Sequence, residues 1–259
     1  MVISVVYFGY AYYHPIHQEI YDDNWAGAVT SFRSWEAGNN QPIYEVSASI
    51  TVPVASMPPA TQTDSNVDQV LSSWIGLSVI ANGTDGLAQT GFSVNVDGNG
   101  PYLLWYMVFP FERAEIFYLN NDIPATVSTG EKVNFTIVNF GGYWEFEASI
   151  SNGLSYKAID NHGFTAYYAE LITEAYATSN GTVDLTQQIC KFSKVYFYSA
   201  KIYSMGSVHN FYLQDFILLD MNQTNMKNAD VKTIYSSTYV ETIWQNSYYN
   251  YTFVNDHLN

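Results

Sequence analysis

Cationic side chains are scarce in this chain: nine Lys and Arg stand against 24 Asp and Glu in 259 residues, a formal net charge of −15. A surface that acidic repels phosphate backbones and anionic lipid faces, which excludes nucleic acid as a partner. The same nine bases and five His cap the positive charge reachable once the carboxyls are protonated, which limits self-repulsion in acid. Charge of either sign is sparse too, at 13% of residues, against roughly 25% in an ordinary soluble domain. The surface has to be largely neutral and polar.

Cysteine is nearly missing. Cys190 stands alone, so no internal disulfide can form and stability must come from the core, where a lone thiol reads as a small apolar residue. No apolar run is long enough to cross a bilayer as a helix, which gives no membrane insertion. Met1 to Tyr10 is apolar but lacks a positive flank, and reads as a first strand or the tail of a signal segment. Residues 1–23 are therefore expected to form an N-terminal arm or first strand. No window carries a helical stripe, and neither an internal repeat nor a low-complexity block is present.

What is abundant is apolar and aromatic: 47% hydrophobic residues, 17% aromatic, with 23 Tyr. Their period is two. From Ile43 to Pro53, Tyr44, Val46, Ala48, Ile50 and Val52 share one face and Glu45, Ser47, Ser49 and Thr51 the other, as in a half-buried strand. Lys132 to Val138 and Tyr143 to Ile150 flank Gly141-Gly142 as a hairpin, with Val133, Phe135, Ile137, Trp144, Phe146, Ala148 and Ile150 inward. Gln89 to Val96 and Tyr102 to Phe109 flank Asp97-Gly98-Asn99-Gly100 as another. Lys194 to Ile202 and Phe211 to Leu219 are strand-sized, and Val231 to Trp244 adds peripheral strands. These predict an all-β, antiparallel two-sheet β-sandwich over 24–244 and a polar tail over 245–259.

Several chemistries drop out. There is no Gly-x-Ser-x-Gly elbow, phosphate-cradling glycine loop, cysteine pair or His-Glu-x-x-His. His14 and His17 with Glu19 could hold zinc, but Pro15 precludes a helix there, so they read as an exposed arm. Asp97 and Asn99 alternate as in a calcium loop, yet no acidic ligand follows, which leaves a plain turn. His162 and His209 have no acidic or thiol neighbour at a telling spacing. No metal and no cofactor are expected. Five Asn-x-Ser/Thr sequons, at Asn82, Asn134, Asn180, Asn222 and Asn250, fit an extracellular or cell-surface protein.

Two polar residues lie inside apolar, strand-like segments: Gln89 in Leu-Ala-Gln-Thr-Gly and Glu174 in Ala-Glu-Leu-Ile-Thr-Glu. An amide buried without partners costs roughly 1 to 3 kcal/mol and a charge considerably more, so their placement calls for a reason. Glu170, four residues before Glu174, would share its face in a strand, so periodicity alone does not separate the two. Either glutamate could equally stand on a solvated face.

Six segments in order carry a resemblance: Asn24-Trp-Ala-Gly-Ala, Ile50-Thr-Val-Pro, Ser73-Trp-Ile-Gly-Leu, Leu87-Ala-Gln-Thr-Gly-Phe, Trp105-Tyr-Met-Val-Phe-Pro and Ala169-Glu-Leu-Ile-Thr-Glu. Together they resemble the glutamic peptidases, the eqolisins, over roughly Asn24 to Leu219. The resemblance implies a concanavalin A-like double-sheet sandwich and a catalytic pair that maps onto Gln89 and Glu174, with Glu170 outside it. It implies polypeptide substrates, hydrolysed in acid without a covalent intermediate by water that Glu174 deprotonates and Gln89 orients. Trp25, Trp74, Trp105 and Tyr106 fall in the matching blocks and are expected either to line the substrate groove or to pack the core.

The chain departs from the family's pattern at three places: Met107 replaces an acidic residue, as does Ser78, and Ala175 follows the second glutamate in place of an aspartate. Two other readings remain beside the exported acid endopeptidase. One is a non-catalytic cell-surface or glycan-binding sandwich; the other is a glycoside hydrolase, which would need two carboxyls about 5 to 10 Å apart across a cleft.

Overall fold

The computed structural model describes residues 17–22, 24–31, 40–57, 67–80, 86–96, 100–119, 122–179, 182–183, 189–214, 216–222, 230–246 and 251–252. In chain order the strands are β1 (His17–Asp22), β2 (Trp25–Ser31), β3 (Ile43–Thr51), β4 (Ala55–Ser56), β5 (Val67–Ser78), β6 (Leu87–Asn95) and β7 (Tyr102–Phe109). Then come β8 (Glu115–Ile116), β9 (Thr126–Val127), β10 (Lys132–Asn139), β11 (Trp144–Ile150), β12 (Ser155–Asp160), β13 (Tyr168–Ser179) and β14 (Thr182–Val183). The last are β15 (Lys191–Phe192), β16 (Val195–Ser204), β17 (Ser207–Asn210), β18 (Phe216–Asn222), β19 (Asp230–Ser236), β20 (Tyr239–Asn246) and β21 (Tyr251–Thr252).

These strands stack in two layers. The first runs β7, β6, β5, β13, β2, β18, β1, with β8 and β9 on the free edge of β7. The second runs β12, β11, β10, β3, β16, β20, β19. β19 also pairs with the end of β18, so one edge is continuous from layer to layer. Neighbours within the layers are antiparallel except β1 and β18, whose parallel pairing departs from the sequence expectation. The fold is the expected all-β sandwich.

Alternation decides which side chains fill the space between layers. Leu71, Ile75 and Leu77 of β5, Ala88 and Phe92 of β6, and Leu171 and Ala175 of β13 meet Val46, Ile50, Phe135, Phe146 and Phe197 from the second layer. Phe92 lies 6.3 Å from Phe135 between ring centres. The inward residues expected for the 132–150 hairpin are all buried, and Gly141 supplies the left-handed φ of +84° its turn needs. A chain of hydroxyls crosses the interior: Thr173 Oγ1 lies 3.5 Å from Ser73 Oγ on β5 and 2.7 Å from Thr242 Oγ1 on β20.

Three local expectations need correction. Tyr44 is 43% exposed, while Ile43 is buried and bridged to Ala166. The pairing of β3 with β16 shifts register at that end, which turns the first residues over. Phe211 to Leu213 form a 3₁₀ turn instead of starting a strand, because the Asn210 side chain accepts from the Tyr212 N–H. Val231 to Trp244 is not peripheral, since Val231, Val240 and Trp244 belong to the core. The arm over 1–16, with His14, and Asp97 to Asn99 lie outside the described residues.

Candidate active site

The first layer is buried on both faces where β5, β13 and β6 run side by side. Its outer face carries a second apolar cluster, Val29, Trp74, Leu87, Trp105, Ile172 and Leu219. Beside that cluster opens a cleft of about 590 Å³. Gln89 and Glu174 both line it.

Glu174 is held by groups from the start of β2 and from β5. Asn24 Nδ2 donates to Oε1 at 3.1 Å, Trp74 Nε1 donates to Oε2 at 3.2 Å, and the Trp25 side chain also bonds the carboxylate. The entry into β2 is shaped by Asp22, whose Oδ1 accepts from the N–H groups of Asn24 and Trp25. The Trp25 and Trp74 rings meet edge to face, 5.1 Å between centres. Burial raises the Glu174 pKa; the Trp74 and Trp25 donors pull it down, and the charge of Asp22 pushes it up again.

Gln89 sits on β6 between Gly76 of β5 and Met107 of β7. It is 5% exposed, and no described residue hydrogen-bonds its amide. The strand beneath is fixed from its other face by Thr90, whose hydroxyl donates to the Trp105 carbonyl at 2.8 Å. Gly91 makes room for Trp74: a Cβ there would stand 2.2 Å from the Ser73 carbonyl oxygen and 2.6 Å from the Trp74 Cβ. The amide is thus buried, rigidly mounted and still unpaired.

Register places Glu170, not Glu174, in the row of Gln89, with Gly76 between them. Glu174 stands opposite Ser72, so its relation to Gln89 is a diagonal across β5. The row is closed, however, because Leu87 and Trp74 crowd the space above Gly76. Glu170 is fully buried, takes one hydrogen bond from Ser78 Oγ, and leaves Oε2 without a partner. Burial pushes its pKa up to about 8. Only Glu174 of the two opens onto the cleft.

Of the four aromatic residues singled out in the sequence, Trp25 and Trp105 line the cleft. Trp74 is fully buried behind it, acting on Glu174 through its indole N–H. Tyr106 does not reach the cleft. It stacks on Phe146 at 5.3 Å in the sandwich interior and donates to Glu115, because neighbours in a strand point to opposite faces and Trp105 already takes the outer one.

Sequence reasoning missed Asn24, the donor to Glu174, and Tyr176 and Ser93, which line the same cleft. Counting by twos from Glu174 and Gln89 would have found the last two. It also missed the surroundings of His162. Its Nδ1 lies 3.0 Å from Asp160 and 3.5 Å from Glu112, which the β7–β8 connection supplies. Phe111 stacks on the ring. The proximity of Asp160 raises the Glu112 pKa.

The three departures from the family pattern fall around the pair. Met107 adjoins Gln89, Ser78 contacts Glu170, and Ala175 faces the interior.

The Peptidase A4 family model matches residues 23–244. No curated protein matches the sequence. Among solved structures, scytalido-glutamic peptidase with a peptide-based transition-state analogue is similar at 22% identity and a TM-score of 0.63. That match covers 86% of this chain and 98% of the other. SCP-B, a member of the eqolisin family in complex with the tripeptide Ala-Ile-His, is similar at 20% identity, TM-score 0.60 and the same coverage. Matched over 23–244, the chain belongs to the peptidase A4 family, the glutamic peptidases, and is a peptide-bond hydrolase.

Proposed function

We propose that Gln89 and Glu174 activate water in this acid glutamic endopeptidase, and that the protein works outside the cell on polypeptide substrates. One observation carries the assignment: the cleft joins a buried amide without a protein partner to a carboxylate held by three donors. Glu174, ionised, takes a proton from water as the water oxygen attacks the scissile carbonyl carbon. Gln89 donates an N–H to the carbonyl oxygen as it gains charge. Glu174 then returns the proton to the departing amine as the C–N bond breaks. An amide keeps its donor at any pH, whereas histidine would be fully charged in acid.

Supporting export, the Asn134 sequon lies on an exposed part of β10. Among the described residues that line the cleft Glu174 is the only carboxylate, and a glycoside hydrolase would need a second.

Incubating the purified protein with a denatured protein between about pH 2 and 6, around the carboxylate range, tests the reading. Endoproteolytic fragments are expected, undiminished by chelators. No cleavage at any of these pH values would overturn it.

The acid limb of kcat/KM reports the base in the free enzyme. Because the Glu174 pKa is raised, that limb is expected above the ordinary carboxylate value of about 4.3. Asp22→Asn removes a charge that raises this pKa while keeping an oxygen for the Asn24 and Trp25 N–H groups. Its limb should move to lower pH. Trp74→Phe removes a donor that stabilises the carboxylate, and its limb should move up. Limbs moving together, or not at all, would show that another group sets the profile.

A further inference from the structure

The cleft has two chemically different ends. Beside Glu174 its wall includes Ser72, Ser93 and Tyr176, which offer hydroxyls. Beside Gln89 it is formed by Leu87, Met107, Phe109 and Ala114, which offer none. Met107 is the direct cross-strand neighbour of Gln89, and Leu87 pairs with Phe109 two residues further along. An apolar recess therefore abuts the amide, with no Lys, Arg, Asp or Glu among the described residues that line it.

Resting on the peptidase reading above, we infer that this recess selects the substrate: it takes one large apolar side chain, Leu, Met or Phe, next to the scissile bond on the Gln89 side. A Lys or Arg side chain in the recess would give up its hydration for neighbours that offer no carboxylate. Asp or Glu fares no better, since no cationic side chain is among the described residues that line the recess. A small side chain such as Ala would leave Met107 and Phe109 with unfilled contact surface. Met107 sets the rule, because it holds the position nearest the amide.

Internally quenched peptides varied singly at each position flanking the cleaved bond, with the bond located by mass spectrometry, test this. The wild type is expected to prefer Leu, Met or Phe over Lys or Asp at one fixed position by about 100-fold. Met107→Glu should lower that preference and raise cleavage after or before Lys and Arg at the same position by at least about tenfold. Met107→Leu should leave the profile in place. Phe109→Ala, at the 41% exposed rim, is a second variant that tolerates folding and should cut discrimination in favour of the largest side chains. A wild type that digests denatured protein without such a preference, or a Met107→Glu profile equal to wild type, overturns the selectivity and leaves the peptidase intact. A wild type that cleaves nothing overturns both.

Discussion

Glu174→Gln is expected to reduce peptide hydrolysis by about 10² to 10⁴-fold, the usual range for a positioned acid–base group. Gln89→Ala should cost about 10² to 10³-fold, close to 3 kcal/mol of barrier, as for one lost oxyanion donor. The two losses should fall on kcat more than on KM, because both groups act on charge that develops as the carbonyl is attacked. The double variant should be little worse than Glu174→Gln alone, since without the base the oriented water is no longer activated. Glu174→Gln sets an amide NH₂ against donors from Asn24 or Trp74, so circular dichroism and thermal unfolding must show the fold retained. Glu170→Gln is the matched control. It alters the same strand four residues away and should leave kcat within a few-fold, because Glu170 is sealed from the cleft. A Glu170→Gln enzyme as inactive as Glu174→Gln would reverse the assignment of the two glutamates.

The same Glu170 should dominate the dependence of stability on pH. Its folded pKa, about 8, stands above the ordinary value of 4.5 that it takes when unfolded. Below about pH 4.5 both states hold the proton and burial carries no ionic penalty. As pH rises, the unfolded chain gives up the proton while the folded one keeps it. Stability then falls by about 1.4 kcal/mol per pH unit until the folded group also ionises near pH 8. The full loss is on the order of several kcal/mol, a large part of a domain's stability. The protein should therefore unfold at progressively lower temperature from about pH 5 to pH 8. Glu170→Gln, which accepts from Ser78 without titrating, should flatten that slope, melting higher than wild type at pH 8 and near it at pH 4. Melting curves with equal slopes in both proteins would show that other groups govern the alkaline loss.

How legible this molecule was in sequence follows from where its information lies. Strands facing core on one side and solvent on the other, such as the 132–150 hairpin, announced their inward residues by alternation alone. The β5 and β13 strands did not, because both faces are buried and the pattern fills in. Gln89 and Glu174 stood out as polar residues in apolar runs, and the ordered blocks around them gave the family. Choosing between Glu170 and Glu174 required the third dimension. They share a face, and only the Leu87 and Trp74 side chains over Gly76 close one of them off. Tyr106 takes the core, one of the two places open to it in sequence, because adjacent strand positions cannot face the same way and Trp105 faces the cleft. Asn24 lies far from Glu174 in sequence, and pairing of β2 with β13 brings the two together.

Thr173, next to Glu174, ties its hydroxyl to Thr242 in the opposite layer and lies close to Ser73 on the neighbouring strand. Sliding β13 by one residue would put the carboxylate where that hydroxyl belongs and turn the threonine toward substrate. Few errors of assembly would be as costly, since an ion would then sit against Leu71 and Ile75 of β5, the inward residues that flank Ser73. The hydroxyl chain thus works as an index mark: it makes one setting of the strand satisfied and the adjacent settings not, and so carries the position of the Glu174 carboxylate into the folding code of the second layer.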